Sequence, residues 1–517
     1  MSASPSLLRD IKHYLSGRVV LVLLGFATFP LLTRMLSVAE YGVVSLTLRI
    51  VLLLTVLSKC GLQYSAARFY DGGVARGTPE VRQRFYSTLV LGPLLTAVAV
   101  IALYLPLLIF ERERIADPLL YTCLLLAPAL VLLRSVQSLL LSLLRNEGRS
   151  RLHSMLEVTT KLLTLGAFIA LLATGLRSAA AILAVTAVSE AVVVLLQLGM
   201  LLNRNLLLPR ALDWTLIRTS LAFGAPLIAY ELSSVVLDSG DRFLVRHYLG
   251  DTSLGYYSAA YNISGYLQDT LMTPLNLAIF PIYMRLWNDE GRAATQRFLS
   301  LALSWFTVAA VALTALAFLC ARDTIVLLAS RRFIESSRLL PLLVPGLMLY
   351  ATHIFLNVGL VLEKRTVLMS ALVFGSAALN VALNILLIPR IGIMGAAWAT
   401  LLSYAALVVC LAVVNQRILP LHFNLLLLLQ SVVAAIGAYM LPAQIQTRFP
   451  ALTLALRIPS YLAFFVLLLF LFSKDFRRTA RPLVDRVSAA LGLKRASQEE
   501  AMPRSLYVPA AAKRRQS

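Results

Sequence analysis

A chain of 517 residues that is 59% hydrophobic and only 14% charged, with a mean hydropathy of +0.80, cannot be a soluble domain, where about a quarter of residues are charged. A formal charge of +22 would suggest nucleic acid in a soluble protein. Here the excess lies in short loops and the tail, where Lys and Arg set topology and meet anionic lipid headgroups, so lipid rather than nucleic acid is the expected partner. Cys60, Cys123, Cys320 and Cys410 are far apart in apolar segments and the five histidines do not cluster, so no disulfide, metal or cofactor is expected.

Residues 1–15 are polar and basic (Arg9, Lys12). The apolar run from Gly17 to Leu36 is longer than a signal-peptide core and lacks a small-x-small cleavage site, so it is kept as a first membrane helix. Crossing the ~30 Å hydrocarbon core takes about 20 helical residues. Segments of that size follow at 41–63, 85–109, 118–144, 152–174, 178–202, 214–238, 254–284, 297–320, 337–361, 366–388, 392–414, 423–441 and 452–473, about fourteen with the first.

With the N-terminus inside, the inner side collects 19 basic residues before the tail against 13 outside, and the tail adds eleven more, so both termini are expected in the cytoplasm. The loop Arg322 to Arg338 carries four against the rule. Pro30, Pro93, Pro128, Pro226, Pro274, Pro341 and Pro345 interrupt the segments, which suits helices that bend beside a cavity. The tail 474–517 is basic, and Leu483, Val484, Val487 and Leu491 share a helical face suited to a headgroup layer, although a disordered tail fits its composition as well.

The chain also repeats itself. Leu36–Ile50 and Leu249–Ile263 align without a gap, matching Leu36 with Leu249, Gly42 with Gly255, Ser45 with Ser258 and Ile50 with Ile263. Both copies enter an apolar helix after a short loop. Repeated halves in a membrane protein point to a transporter with its site between them.

Ionisable residues inside the bilayer are costly and therefore informative. The deep cations are Arg49, Lys59 and Lys161, with Arg134 in the fourth segment and Arg68 at the inner end of the second. The deep acids are Glu157, Glu190, Glu231, Asp238 and Asp269. Cations gather in the first six segments, while three of the five acids fall in the seventh and eighth. Arg49, Arg134, Lys59, Arg68 and Lys161 are candidate cavity cations for an anionic diphosphate headgroup. Glu231, Asp269 and Glu190 are candidates for a coupling ion, H+ or Na+. Each has a plainer reading: Glu157 and Lys161 are spaced to pair with one another, Lys59 and Arg68 can snorkel, and Arg134 can pair with Glu190.

Four stretches in order, PLLTRMLSVAEYGVVSL (30–46), CGLQYSAARFYDGG (60–73), DSGDRFLVRHYLGDTSLGYYSAAYNI (238–263) and NVALNILLIPRIGIMGAAWATLLSY (380–404), resemble the polysaccharide transporters of the MOP superfamily, the Wzx-type oligosaccharide flippases. The resemblance implies an all-α polytopic protein: a cytoplasmic segment (1–15), two pseudo-symmetric six-helix lobes (16–202 and 203–414), two further helices (415–473) and a basic tail (474–517). It implies export of polyprenyl-diphosphate-linked oligosaccharide across the bacterial inner membrane, beside polysaccharide assembly proteins. The motif positions are Arg34, Glu40, Gly42, Arg68, Asp241, Arg242, Gly255, Pro389, Gly392 and Gly395, most of them expected in loops and packing. Two other readings compete. A MATE-like ion-coupled drug exporter needs an acid-lined site, whereas the N-terminal half here is cationic. A polytopic polymerase or glycosyltransferase needs a long loop with catalytic carboxylates, which is missing, so no enzyme is expected.

Overall fold

The computed structural model describes residues 5–478 apart from 71–73, 75, 76 and 116; the tail beyond 478, with its proposed amphipathic face, lies outside the described residues. The described residues are helical, with no strand. The helices are α1 Pro5–Met35, α2 Val38–Lys59, α3 Leu62–Phe69, α4 Pro79–Phe110, α5 Pro118–Asn146, α6 Ser150–Thr174 and α7 Ala179–Leu202. A helical stretch Trp214–Asp289 follows, then α10 Arg292–Leu328, α11 Leu340–Ala351 with short turns carrying it to Leu362, α12 Thr366–Ile391, α13 Ile393–Ile418, α14 Leu425–Met440 and α15 Pro450–Phe472.

The stretch Trp214–Asp289 is not one rod. Gly250 breaks it at φ 78° and ψ −178°, a conformation that only a residue without Cβ adopts freely. The chain reverses there, because Tyr261 OH donates to Asp238 Oδ1 at 2.8 Å. In a continuous helix those residues would lie about 34 Å apart. The two arms are therefore α8 (214–249) and α9 (251–289), with α8 bent by 52° near residue 225. Twelve other helices are long and apolar enough to span a bilayer, against the expected fourteen, and the two arms lie where the seventh and eighth were expected. By length and composition alone twelve or thirteen qualify, since the charges of 231–251 dilute the apolar signal of α8 and α9. α8 runs eleven residues past its expected end at 238, which puts Asp241 and Arg242 inside a helix rather than in a loop.

Several motif residues have local work. Ser37 and Glu40 form a reciprocal capping box that starts α2. Arg34 Nη2 donates to Leu327 O at 2.8 Å, placing a cation on the free carbonyls ending α10. Gly392 turns α12 into α13 at φ 64°, and a Cβ on Gly395 would lie 2.6 Å from the Leu387 carbonyl.

Packing follows two sets. Helices α1 to α7 contact mainly one another, as do α8 to α13, while α14 and α15 pack together and on α10. The chief seam runs between α2 and the α8–α9 hairpin. At its start, Gly42 meets Gly255, the two residues matched by the sequence repeat. A Cβ on Gly42 would lie 2.5 Å from Asp251 O, and one on Gly255 would run into Val38 O. At its end, a Cβ on Gly61 would lie 2.5 Å from Gly224 Cα. Backbone thus meets backbone at both ends of α2, and the seam is closed there in this conformation.

Candidate functional site

Between those glycine contacts the seam carries charge. Arg49 lies about 16 Å along α2 from Val38, at the middle of that helix, and its Nη1 reaches Asp238 Oδ2 on α8 at 2.7 Å. The same nitrogen lies 3.3 Å from Ser239 Oγ. Ten residues on, Lys59 Nζ reaches Glu231 Oε1 at 2.8 Å, and Gln63 Nε2 donates to Glu231 Oε2 at 2.8 Å. Cations of the first helix set are thus matched with acids of the second. The Arg49–Asp238 pair keeps 22% and 41% of its side-chain surface exposed, so it borders open space along the seam rather than a packed core.

Behind Asp238 lies a polar cluster that sequence reasoning missed. Asp238 accepts from Tyr261, whose hydroxyl lies 2.9 Å from Tyr404 OH, and Tyr404 stacks on Tyr350 at 4.7 Å between centroids. Asp241 accepts from the Tyr257 hydroxyl and from Thr400 Oγ1 at 3.3 Å. Arg242 and Asp241 are fully buried. The Arg242 guanidinium donates to Asp238 O at 2.7 Å, lies 3.4 Å from Asp241 and sits 4.1 Å over the Tyr261 ring, so its charge is held by dipole, carboxylate and π-face together. The available signal was Tyr257 and Tyr261, one helical turn apart, facing Asp238 and Asp241, also about one turn apart, across the Gly250 reversal. Across the seam, Asn262, the repeat partner of Arg49, donates to Tyr41 OH at 2.6 Å.

The other candidates are placed differently. Arg134 grips Glu190 with Nε and Nη2 at 2.8–3.1 Å, a two-pronged pair inside the first helix set. Lys161 is exposed and forms no ion pair among the described residues. Glu157 lies 3.5 Å from His153, not against Lys161. Arg68, at the end of α3, stacks over Phe223 at 4.2 Å. Asp269 is exposed and makes no ion pair among the described residues, so of the three coupling-ion candidates it alone is not salt-bridged there. A further pair went unread: Arg457 of α15 reaches Asp323 of α10 at 2.7 Å and also donates to Leu319 O and Ile445 O. Both residues fell in expected loops or segment ends. No group of three or more potential metal ligands occurs among the described residues.

An apolar groove of about 790 Å³ opens between α10, α11, α13 and α14. Phe306, Val311, Met348, Val408 and Val432 line it, and Asn415 and Gln416 are among its few polar residues.

Two helix sets meeting along a charged seam, with an added helix pair beside an apolar groove, define an all-α multi-pass membrane protein. Solved structures of transporters share this fold. The lipid II flippase MurJ in an inward closed conformation matches with a TM-score of 0.64 at 13% identity, over 89% of this chain and 99% of that one. An inward-facing multidrug resistance MATE family transporter also gives 0.64 at 13% identity, over 79% and 97%. A point mutant of the Vibrio cholerae MATE transporter VcmN gives 0.52 at 14% identity, over 80% and 96%. No curated relative matches at the level of sequence. The profile of the polysaccharide biosynthesis protein family matches residues 7–287, and the chain belongs to that family.

Proposed function

We infer that this protein is a flippase that moves polyprenyl-diphosphate-linked oligosaccharide across the bacterial inner membrane by alternating access, for exopolysaccharide, O-antigen or capsule assembly. The observation that carries the reading is membership of a polysaccharide biosynthesis family joined to a seam whose cations stand opposite acids. A diphosphate leaving water needs fixed positive charge, and Arg can hold phosphate oxygens with parallel hydrogen bonds. In the closed seam Arg49 and Lys59 are occupied by Asp238 and Glu231. Opening the seam frees both cations toward the passage, so the substrate anion replaces the acids as their partner. The groove between α10 and α14 suits the polyprenyl chain, since it is apolar and flanked by the exposed Phe318, Ile436 and Met440.

Asp269, which forms no salt bridge among the described residues, is the strongest coupling-ion candidate. Both termini lie in the cytoplasm, as the basic-residue asymmetry requires, and reporter fusions after Ser473 and after Arg112 should report opposite sides. The substrate class is tested by reconstituting the purified protein in vesicles with a fluorescent polyprenyl-diphosphate sugar. Protein-dependent movement between leaflets is expected. Export of cationic dyes without movement of that lipid would instead establish the drug-exporter reading.

A further inference from the structure

Away from the seam, Tyr70 and Val74, the residues just after α5 and α7, and the start of α4 line one polar pocket of about 610 Å³. Among the described residues its wall holds three arginines, Arg82, Arg149 and Arg204, and one acid, Glu147. That acid is already satisfied: it accepts from the Tyr86 hydroxyl and pairs with Arg149 Nε at 3.0 Å. Arg82 and Arg204 have no ion-pair partner among the described residues. The pocket is held in shape by bonds between α4 and the 203–213 loop. Gln83 Nε2 donates to Asn205 O at 2.7 Å, Leu208 N to Ser87 Oγ at 2.8 Å, and Asp213 N to Thr88 Oγ1 at 2.9 Å.

A second void of about 30 Å³ adjoins it, sharing Tyr86, Glu147, Arg149 and Arg204 as walls. There Gln197, only 4% exposed, has neither amide atom hydrogen-bonded among the described residues. An unpaired buried amide is costly, and the void has room for one water or one hydroxyl that would satisfy it. The same wall carries the half-exposed Met200, followed by the exposed Leu202, so the pocket's flank continues onto a surface suited to lipid.

Like charges gathered around one cavity repel unless an anion lies between them. Arg204 follows the last apolar turn of α7, and Arg82 precedes the apolar run of α4, so the pocket sits at headgroup depth. We propose that it binds the phosphate of an anionic phospholipid from the leaflet its loops face. Arg82 and Arg204 grip the phosphate oxygens, and Gln197 meets a headgroup hydroxyl or bridging water. The site is built wholly from the first half of the chain, shares no residue with the seam, and does not depend on which substrate crosses there.

The test uses the full-length protein and native mass spectrometry, with phosphatidylglycerol titrated against phosphatidylcholine. Preferential retention of phosphatidylglycerol is expected, falling about tenfold in R82Q/R204Q while phosphatidylcholine retention stays constant. R84Q, which removes an exposed arginine of the same helix outside the pocket, should leave retention unchanged. Equal retention by wild type and R82Q/R204Q, or an equal loss in R84Q, overturns the proposal. So does inorganic phosphate that binds with the same arginine dependence while phosphatidylglycerol shows no preference, since the ligand is then a soluble anion.

Discussion

If Arg49–Asp238 is a latch of the closed seam, removing either partner strands the other in a low-dielectric setting. Truncating one member of a fully buried pair costs about 3–5 kcal/mol. This pair is 22% and 41% exposed, and Asp238 keeps Tyr261 as a donor, so the cost here is set at about 2 kcal/mol. Applied to the closed state alone, about 2 kcal/mol shifts the closed-to-open ratio roughly thirtyfold. Arg49→Ala should therefore populate an open seam while remaining inserted, and should block substrate movement because the phosphate loses its partner. Asp238→Asn should open the seam comparably but keep Arg49 for the substrate, so transport falls less. A spin-label pair across the Gly42–Gly255 end gives the distance distribution, and vesicle flipping gives the rate. An Arg49→Ala protein with wild-type distances and a wild-type rate would refute both the latch and the substrate role. Loss of membrane abundance in both variants would make the pair merely structural.

Gly42→Val should push α2 off α9, because its side chain enters space held by Asp251 O and the Gly255 backbone; about 1–3 kcal/mol of overpacking should appear as loss of closed-seam distances with transport abolished. Arg134→Ala leaves Glu190 unpaired and should lower membrane abundance, with Glu190→Gln partly restoring it; full abundance with lost transport would instead return Arg134 to the passage. Arg457→Ala frees Asp323 and the carbonyls it serves, so the melting temperature in detergent should fall by several degrees, whereas Arg84→Ala should leave it unchanged.

Hydropathy placed nearly every span because lipid demands about 20 apolar residues per crossing whatever surrounds them. The Leu36–Ile50 and Leu249–Ile263 repeat was readable for a related reason. Gly42 and Gly255 sit where two helices approach until backbone meets backbone, and no other residue fits. Charge by charge, the sequence also showed the deep cations on the first half and three of the five deep acids on the second. It did not show who meets whom. Arg49 with Asp238 and Lys59 with Glu231 are separated by 189 and 172 residues, and only the closing of α2 onto α8 makes them pairs. Asp241 and Arg242 looked like loop residues because five charges between 231 and 246 erase the apolar signal, yet Tyr257, Tyr261 and Thr400 make that polarity tolerable inside a helix. A sequence fixes which groups must find partners in the bilayer; the folded chain supplies the partners, because satisfaction of a buried charge depends on distance in space and not on position along the chain.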